Sequence, residues 1–247
     1  MGRIEIKYDA GLRKRLVCKH SSDPDKEYRK LLSFDTPRII RPLGIQDGCL
    51  LFPEYSERAA DGIAGYCSER EAWRFIRDVA EGLSYMHKRG FLHLDIQPAN
   101  VLISEKGYVI GDFDDEGDRT SYAFTSPEWQ RGRDQVGPAS DVWSLGASVF
   151  YLINGSYIFS GRGGAAQKKD TMVPRLSEKY SSELSDIVSG CLSYEPEARP
   201  LVDDIYTLAK KMILREEAPK ERIPKVKAPK TVGDYDRLWP EQMKQKI

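Results

Sequence analysis

The stretch that most limits what this chain can fold into runs from His93 to Asp112. A polar loop, His-Leu-Asp-Ile-Gln-Pro-Ala-Asn, leads into Val101-Leu102-Ile103, a turn at Glu105-Lys106-Gly107, and then Tyr108-Val109-Ile110. Two short β-prone apolar runs around such a turn predict a tight hairpin. Antiparallel strands joined by a tight turn bring their outer ends together. Asn100, just before the first strand, and Asp112, shortly after the second, are therefore expected to be neighbours. Both are hard oxygen donors of the kind magnesium favours, and that ion takes few ligands from protein, leaving the rest to phosphate and water. Asp95, in the same loop, adds a carboxylate that can accept a hydroxyl proton without touching the metal. Each residue alone would pass for an ordinary turn residue. Loop, hairpin and apolar flanks together make them a candidate site.

The surrounding pattern predicts an α+β chain. Residues 4–8 alternate apolar and polar, as a half-buried strand does; Asp9-Ala10-Gly11 reads as a turn and Leu12 to Lys19 as the return strand. Asp23 and Pro24 predict a helix start, as N-cap and first helical residue. That helix should run to about Phe34 and stop before Pro37, with further strands expected at Ile39 to Leu43 and Cys49 to Phe52. After Tyr55 the pattern turns helical. Ser68 and Glu71 have capping-box spacing, and Trp73, Ile76, Ala80, Leu83 and Met86 recur at steps of three and four, down to a stop near Gly90. The nearly unbroken apolar run from Asp141 to Leu152 predicts a helix buried on most sides. Leu184, Ile187, Val188 and Leu192 mark another, and Val202 to Leu214 a last one. From Glu216 onward Pro, Lys and Glu dominate up to Leu238-Trp239-Pro240, which predicts an extended tail with Trp239 as a docking residue.

Bulk composition removes several function classes. The 38 basic and 38 acidic residues cancel, so the basic excess of a nucleic-acid binder is missing. No apolar run approaches the ~20 residues of a membrane helix, and Met-Gly-Arg-Ile-Glu-Ile lacks a signal peptide's apolar core. Neither nucleic acid nor membrane is expected as a partner, and the cytoplasm is the expected location. Cys18, Cys49, Cys67 and Cys191 are widely spaced, with no C-x-x-C pair and three histidines in the chain. This argues for free thiols and against a zinc site.

Read together, these residues resemble the eukaryotic-type protein kinase family. His93-Leu94-Asp95 with Asn100 is similar to the catalytic-loop pattern H-R-D-x-x-x-x-N, and Asp112-Phe113-Asp114 to D-F-G. Ser126-Pro127-Glu128 stands in for A-P-E, and Asp141-Val142-Trp143-Ser144-Leu145-Gly146 is similar to the family's buried helix. Arg199-Pro200 resembles the late motif whose arginine pairs with the A-P-E glutamate, here Glu128. Val17-Cys18-Lys19 is similar to the strand that presents the ATP-binding lysine, and Glu27 has the position of its helix partner. The resemblance implies a bilobal fold, with a truncated sheet-and-helix N-lobe at about 1–54, a mainly helical C-lobe at about 55–215, and a tail at 216–247. It also implies ATP and Mg2+ as cofactors and a protein substrate. By the family's template Asp95 orients and deprotonates the acceptor hydroxyl, Asn100 and Asp112 hold magnesium, and Lys19, paired with Glu27, grips the nonreacting phosphates. His93 is then a packing and hydrogen-bonding support.

The departures from the pattern carry their own implications. Gly2-Arg3-Ile4 falls where only the end of the glycine-rich loop would lie, so the first strand and first two glycines have no counterpart and ATP affinity should suffer. Leu94 replaces the arginine that receives a phosphorylated activation loop, which implies an enzyme without that switch. Gln97 replaces a catalytic lysine; its amide can bond a phosphate oxygen but brings no charge, which implies slower transfer. Asp114 and Asp115 add negative charge beside the metal position. A protein serine/threonine kinase is the first reading. A pseudokinase acting as a binding or scaffold module is the alternative, and a small-molecule kinase stands third. The tail is expected either to cover part of the nucleotide cleft or the exposed sheet edge, or to stay disordered.

Overall fold

The structure is a computed structural model and describes residues 4–9, 14–55, 57–113 and 122–217. The turn at Ala10 and Gly11, the glycine-loop remnant at Gly2 and Arg3, Asp114, Asp115 and the tail from 218 with Trp239 lie outside the described residues.

Strands β1 (Ile4–Asp9) and β2 (Lys14–His20) pair antiparallel, as their alternation predicts, and β2 pairs antiparallel with β4 (Cys49–Pro53). Helix α1 (Pro24–Leu32) starts where its signals place it. The Asp23 carboxylate accepts the Lys26 amide at 3.0 Å, and Pro24 fills a position where no donor is needed. The expected strand at Ile39 to Leu43 is corrected. The ladder begins later, at β3 (Gly44–Gln46), and the sheet order is β1-β2-β4-β3. Ile39 and Ile40 instead bury themselves against the central hairpin. Ile40 donates to the Ile110 carbonyl at 2.8 Å, and Ile110 to the Arg38 carbonyl at 2.8 Å. The apolar run that reads as a strand thus fastens one half of the molecule to the other.

That hairpin is β6 (Val101–Ser104) and β7 (Gly107–Ile110), with Val101 opposite Ile110 and Ser104 opposite Gly107. A two-residue strand, β5 (Glu57–Arg58), pairs with β6, and a single helical turn, α2 (Ala59–Gly62), follows it; neither has a signal in the sequence. Helix α3 (Glu69–His87) buries Trp73, Ile76, Ala80, Leu83 and Met86, the predicted stripe. Its cap is half a capping box. Ser68 Oγ accepts the Glu71 amide at 3.2 Å, while the Glu71 carboxylate accepts the Tyr108 hydroxyl at 2.6 Å.

Helix α4 (Pro138–Asn154) runs through the centre of the helical half. Its small polar residues can be buried because their hydroxyls find backbone carbonyls: Ser144 Oγ donates to that of Phe124 at 2.7 Å and Ser148 Oγ to that of Ser144 at 2.7 Å. Gly146 is required by packing, since a Cβ there would stand 2.7 Å from Cys191 Cβ on α5 (Ser182–Cys191). Helix α6 (Val202–Glu217) closes the described chain. No helix among the described residues is long and apolar enough to cross a membrane.

Candidate active site

The hairpin sets the site's floor. Its ladder continues one step past the strands, with the Gly111 amide donating to the Asn100 carbonyl at 2.8 Å, so Asn100 and the Gly111-Asp112 segment lie side by side. The anchor is Asp78, wholly buried on α3. It accepts the Tyr108 amide at 3.0 Å and faces Arg38 Nη2 at 3.0 Å and Arg77 Nε at 2.7 Å. Arg38 also meets Glu81 at 2.7 Å and donates to the Lys106 carbonyl at the turn.

The loop above it is held by Asp141, at the start of α4. One oxygen accepts the Leu94 amide at 2.6 Å; the other accepts the His93 amide at 3.0 Å and meets His87 Nε2 at 2.8 Å. This grip coincides with a left-handed backbone at Leu94, φ 64°, a conformation that costs a non-glycine residue about 1–3 kcal/mol and persists only when surroundings enforce it. Asp112, φ 56°, is the second such residue in the site. His93 Nδ1 accepts the Asp95 amide at 3.3 Å, so its proton is on Nε2, donated to the Gly111 carbonyl at 3.0 Å. Burial lowers its pKa, and the ring packs edge-on against Phe113. His93 is a neutral support, as the sequence suggests.

Two side chains then converge on the Asp95 carboxylate. Asn100 Nδ2 donates to one carboxylate oxygen at 2.7 Å, and to the Asp95 carbonyl at 3.0 Å. Gln97 Nε2 bonds both carboxylate oxygens, at 3.1 and 3.0 Å. Burial raises the Asp95 pKa; the hydrogen bonds from Gln97 and Asn100 work against that rise, and the Asp112 charge adds to it. Across the cleft, Lys19 Nζ bridges Glu27 Oε1 at 3.0 Å and Asp112 Oδ1 at 2.8 Å. The cleft itself is about 250 Å³, with Val17, Phe52 and Leu102 among its apolar walls and Lys19, Asn100 and Asp112 at its polar end. Glu27 lines it too, whereas Asp95 and Gln97 do not and connect to it through Asn100.

Arg199 makes a two-pronged bond to Glu128, at 2.7 and 2.8 Å, with both side chains buried. Burial alone would raise the Glu128 carboxyl, but the bonds from Arg199 and Ser140 and the guanidinium charge leave it below the usual range. Nothing in the motif pattern alone assigns Asp78 and Asp141 these holding roles. For Asp141 a signal exists, an acid opening an otherwise apolar run; for Asp78 there is only its place on the buried stripe of α3.

A family sequence profile described as a protein kinase domain matches residues 19–209. Among curated proteins the chain is similar to sperm motility kinase 2B of Mus musculus, 28% identical over an alignment of 159 positions that covers 58% of this chain and 32% of that one. Serine/threonine-protein kinase GRIK1 of Arabidopsis thaliana is 33% identical over an alignment of 153 positions that covers 56% of this chain and 38% of that one. Serine/threonine-protein kinase GIN4 of Saccharomyces cerevisiae is 33% identical over 159 residues, covering 57% and 14%. The match thus spans between 14% and 38% of these relatives' own length.

Proposed function

The chain belongs to the protein kinase family, and from that premise we propose that it is an ATP- and magnesium-dependent phosphotransferase acting on protein serine and threonine hydroxyls. The observation that carries this reading is Lys19, held between Glu27 and Asp112 at the polar end of an apolar cleft. An ammonium fixed there grips the nonreacting phosphates, while the apolar walls receive the base. Asn100 and Asp112 fit a magnesium ion. Asn100 gives its amide hydrogens to Asp95, which leaves its carbonyl oxygen as the donor, and Asp112 adds a carboxylate. The ion, when bound, neutralises charge on the phosphates. Asp95, its pKa raised by burial, is the base that orients and takes the hydroxyl proton. The catalytic unit is residues 1–215, with lobes dividing near residue 54, and the tail from 216 is a separate segment.

The enzyme works without control by activation-loop phosphorylation. Position 94 is a leucine, and its loop is tied down internally by Asp141. One observation favours the second reading, a binding module without turnover: Gln97 already bonds both Asp95 oxygens, where a substrate hydroxyl would have to approach. Melting with and without ATP and magnesium, followed by radiolabelled phosphate transfer to generic serine/threonine acceptors, separates the two. Transfer abolished by Asp95→Ala, with the nucleotide-induced shift retained, supports the kinase. A shift without transfer supports the module, and no shift at all sinks both.

A further inference from the structure

Strand β2 turns Lys19 toward the cleft, so by the alternation of a strand its neighbours Cys18 and His20 face the opposite side of the sheet. The register sets Cys18 against Glu5 of β1 and His20 against Cys49 of β4. Four ligand-type side chains therefore share one patch, on the face that phosphotransfer does not use. One ligand atom each from Cys18, His20 and Cys49 lie within 4.8 Å of one another. Both His20 ring nitrogens stand 3.5 Å from Cys49 Sγ, and His20 Nε2 is 3.7 Å from Glu5 Oε1. A tetrahedral zinc, with Zn–S of about 2.3 Å and Zn–N of about 2.0 Å, spaces its ligand atoms about 3.5–3.8 Å apart. The Cys49–His20 separation already matches an edge of that tetrahedron.

We propose that Cys18, His20 and Cys49 form a structural zinc site, with Glu5 as fourth ligand, that staples β2 to β4 directly behind Lys19. Two thiolates and an imidazole suit a borderline-soft ion with no redox chemistry of its own. The two cysteines have no exposed surface, whereas the His20 and Glu5 side chains are 41% and 34% exposed, so the metal arrives from solvent and seats against dry sulfur. Burial, with the neighbouring Cys49, pushes the metal-free Cys18 thiol up to about 11. Loading exchanges each thiol proton for a metal–sulfur bond and releases it to water. Cys67 and Cys191, also buried and free, belong to no such group among the described residues and serve as controls.

The test uses the full chain, kept reduced, stripped with a chelator and titrated first with Co2+ and then Zn2+. Expected are a thiolate-to-cobalt charge-transfer band with tetrahedral d–d bands, their bleaching by equimolar zinc, and a melting temperature raised by zinc. Cys49→Ser should lose all three, and Cys67→Ser none. Should Cys49→Ser fail to fold, His20→Ala at its half-exposed position, with the fold checked by circular dichroism, should weaken zinc binding by about tenfold or more. A cobalt spectrum without thiolate bands, or zinc binding unchanged in His20→Ala, overturns the site. So does a Cys18–Cys49 disulfide that forms in air when the reduced chain takes up no zinc.

Discussion

At Glu128 two large effects oppose each other, and the balance can be read by titration. Burial pushes its carboxyl up, while Arg199 and Ser140 bring it below the ordinary value, which is about 4.3 in an unfolded chain. A depressed folded value means that the pair's stabilisation is present above that pH and is lost as the pH falls through the folded pKa. Arg199→Ala leaves a buried charge unpaired, so about 3–5 kcal/mol should be lost at neutral pH. Because burial is then opposed by the Ser140 bond but no longer by the guanidinium, the variant's deficit should shrink on acidification. Urea unfolding at neutral pH and near pH 4 checks both; an equal deficit at the two would refute the assignment. Gln97 permits a second test. Burial raises Asp95 and the Gln97 amide opposes that rise, so Gln97→Ala should move the acid limb of kcat/KM to higher pH; a limb that stays in place rejects the role. The motif residues Lys19, Glu27, Asp95, Asn100 and Asp112 were legible because spacing along the chain records their order. Apart from the adjacent Arg77, the partners of Asp78 and Asp141 are backbone amides and side chains far along the chain, Arg38 and His87, which leave no trace in spacing.

Among the elements, the β6–β7 hairpin is the one whose position decides the site, and little of its anchoring is its own. Two four-residue strands are marginal alone. They are held by Asp78 from α3 below and by the Arg38–Ile40 segment alongside. Asp78→Asn removes the charge that Arg38 and Arg77 face, while keeping an acceptor near the Tyr108 amide. It should cost about 1–3 kcal/mol and speed amide exchange across Tyr108 to Ile110 more than across α4. Exchange rising equally in both elements would show global destabilisation and reject a local anchor. The hairpin itself was legible, since its turn and β-prone runs are local signals. The segment from Ile39 to Leu43 was not, because an apolar run looks the same whether it joins a ladder or fastens two halves. The same limit hid the Cys18–His20–Cys49 group. Its residues are adjacent only through strand register, and a search for paired cysteines along the chain cannot see across a sheet.

Across the whole described molecule, burial is uneven, and that sets where it should open. Trp73, Phe75 and Trp143 are fully buried on α3 and α4, whereas Ile4, Ile6 and Tyr8 of the edge strand β1 are 48%, 57% and 67% exposed. Sub-global opening follows such differences, so amides of β1 should exchange fastest among the strands, and those of α3 and α4 only on global unfolding. The two ligands inferred for this chain meet the same strand from opposite faces: nucleotide at Lys19, zinc at Cys18 and His20. Their footprints should therefore overlap on β1, β2 and β4, which supply residues to both faces, and diverge at the β6–β7 hairpin. ATP with magnesium should protect β2 and Gly111 to Phe113 but not β3, while zinc should protect β2 and β4 and leave the hairpin unchanged. Hydrogen exchange with each ligand alone reads this directly. If zinc protects Gly111 to Phe113 as strongly as β4, the metal is binding at the phosphate end of the cleft rather than behind the sheet, and the two-faced view of β2 is wrong.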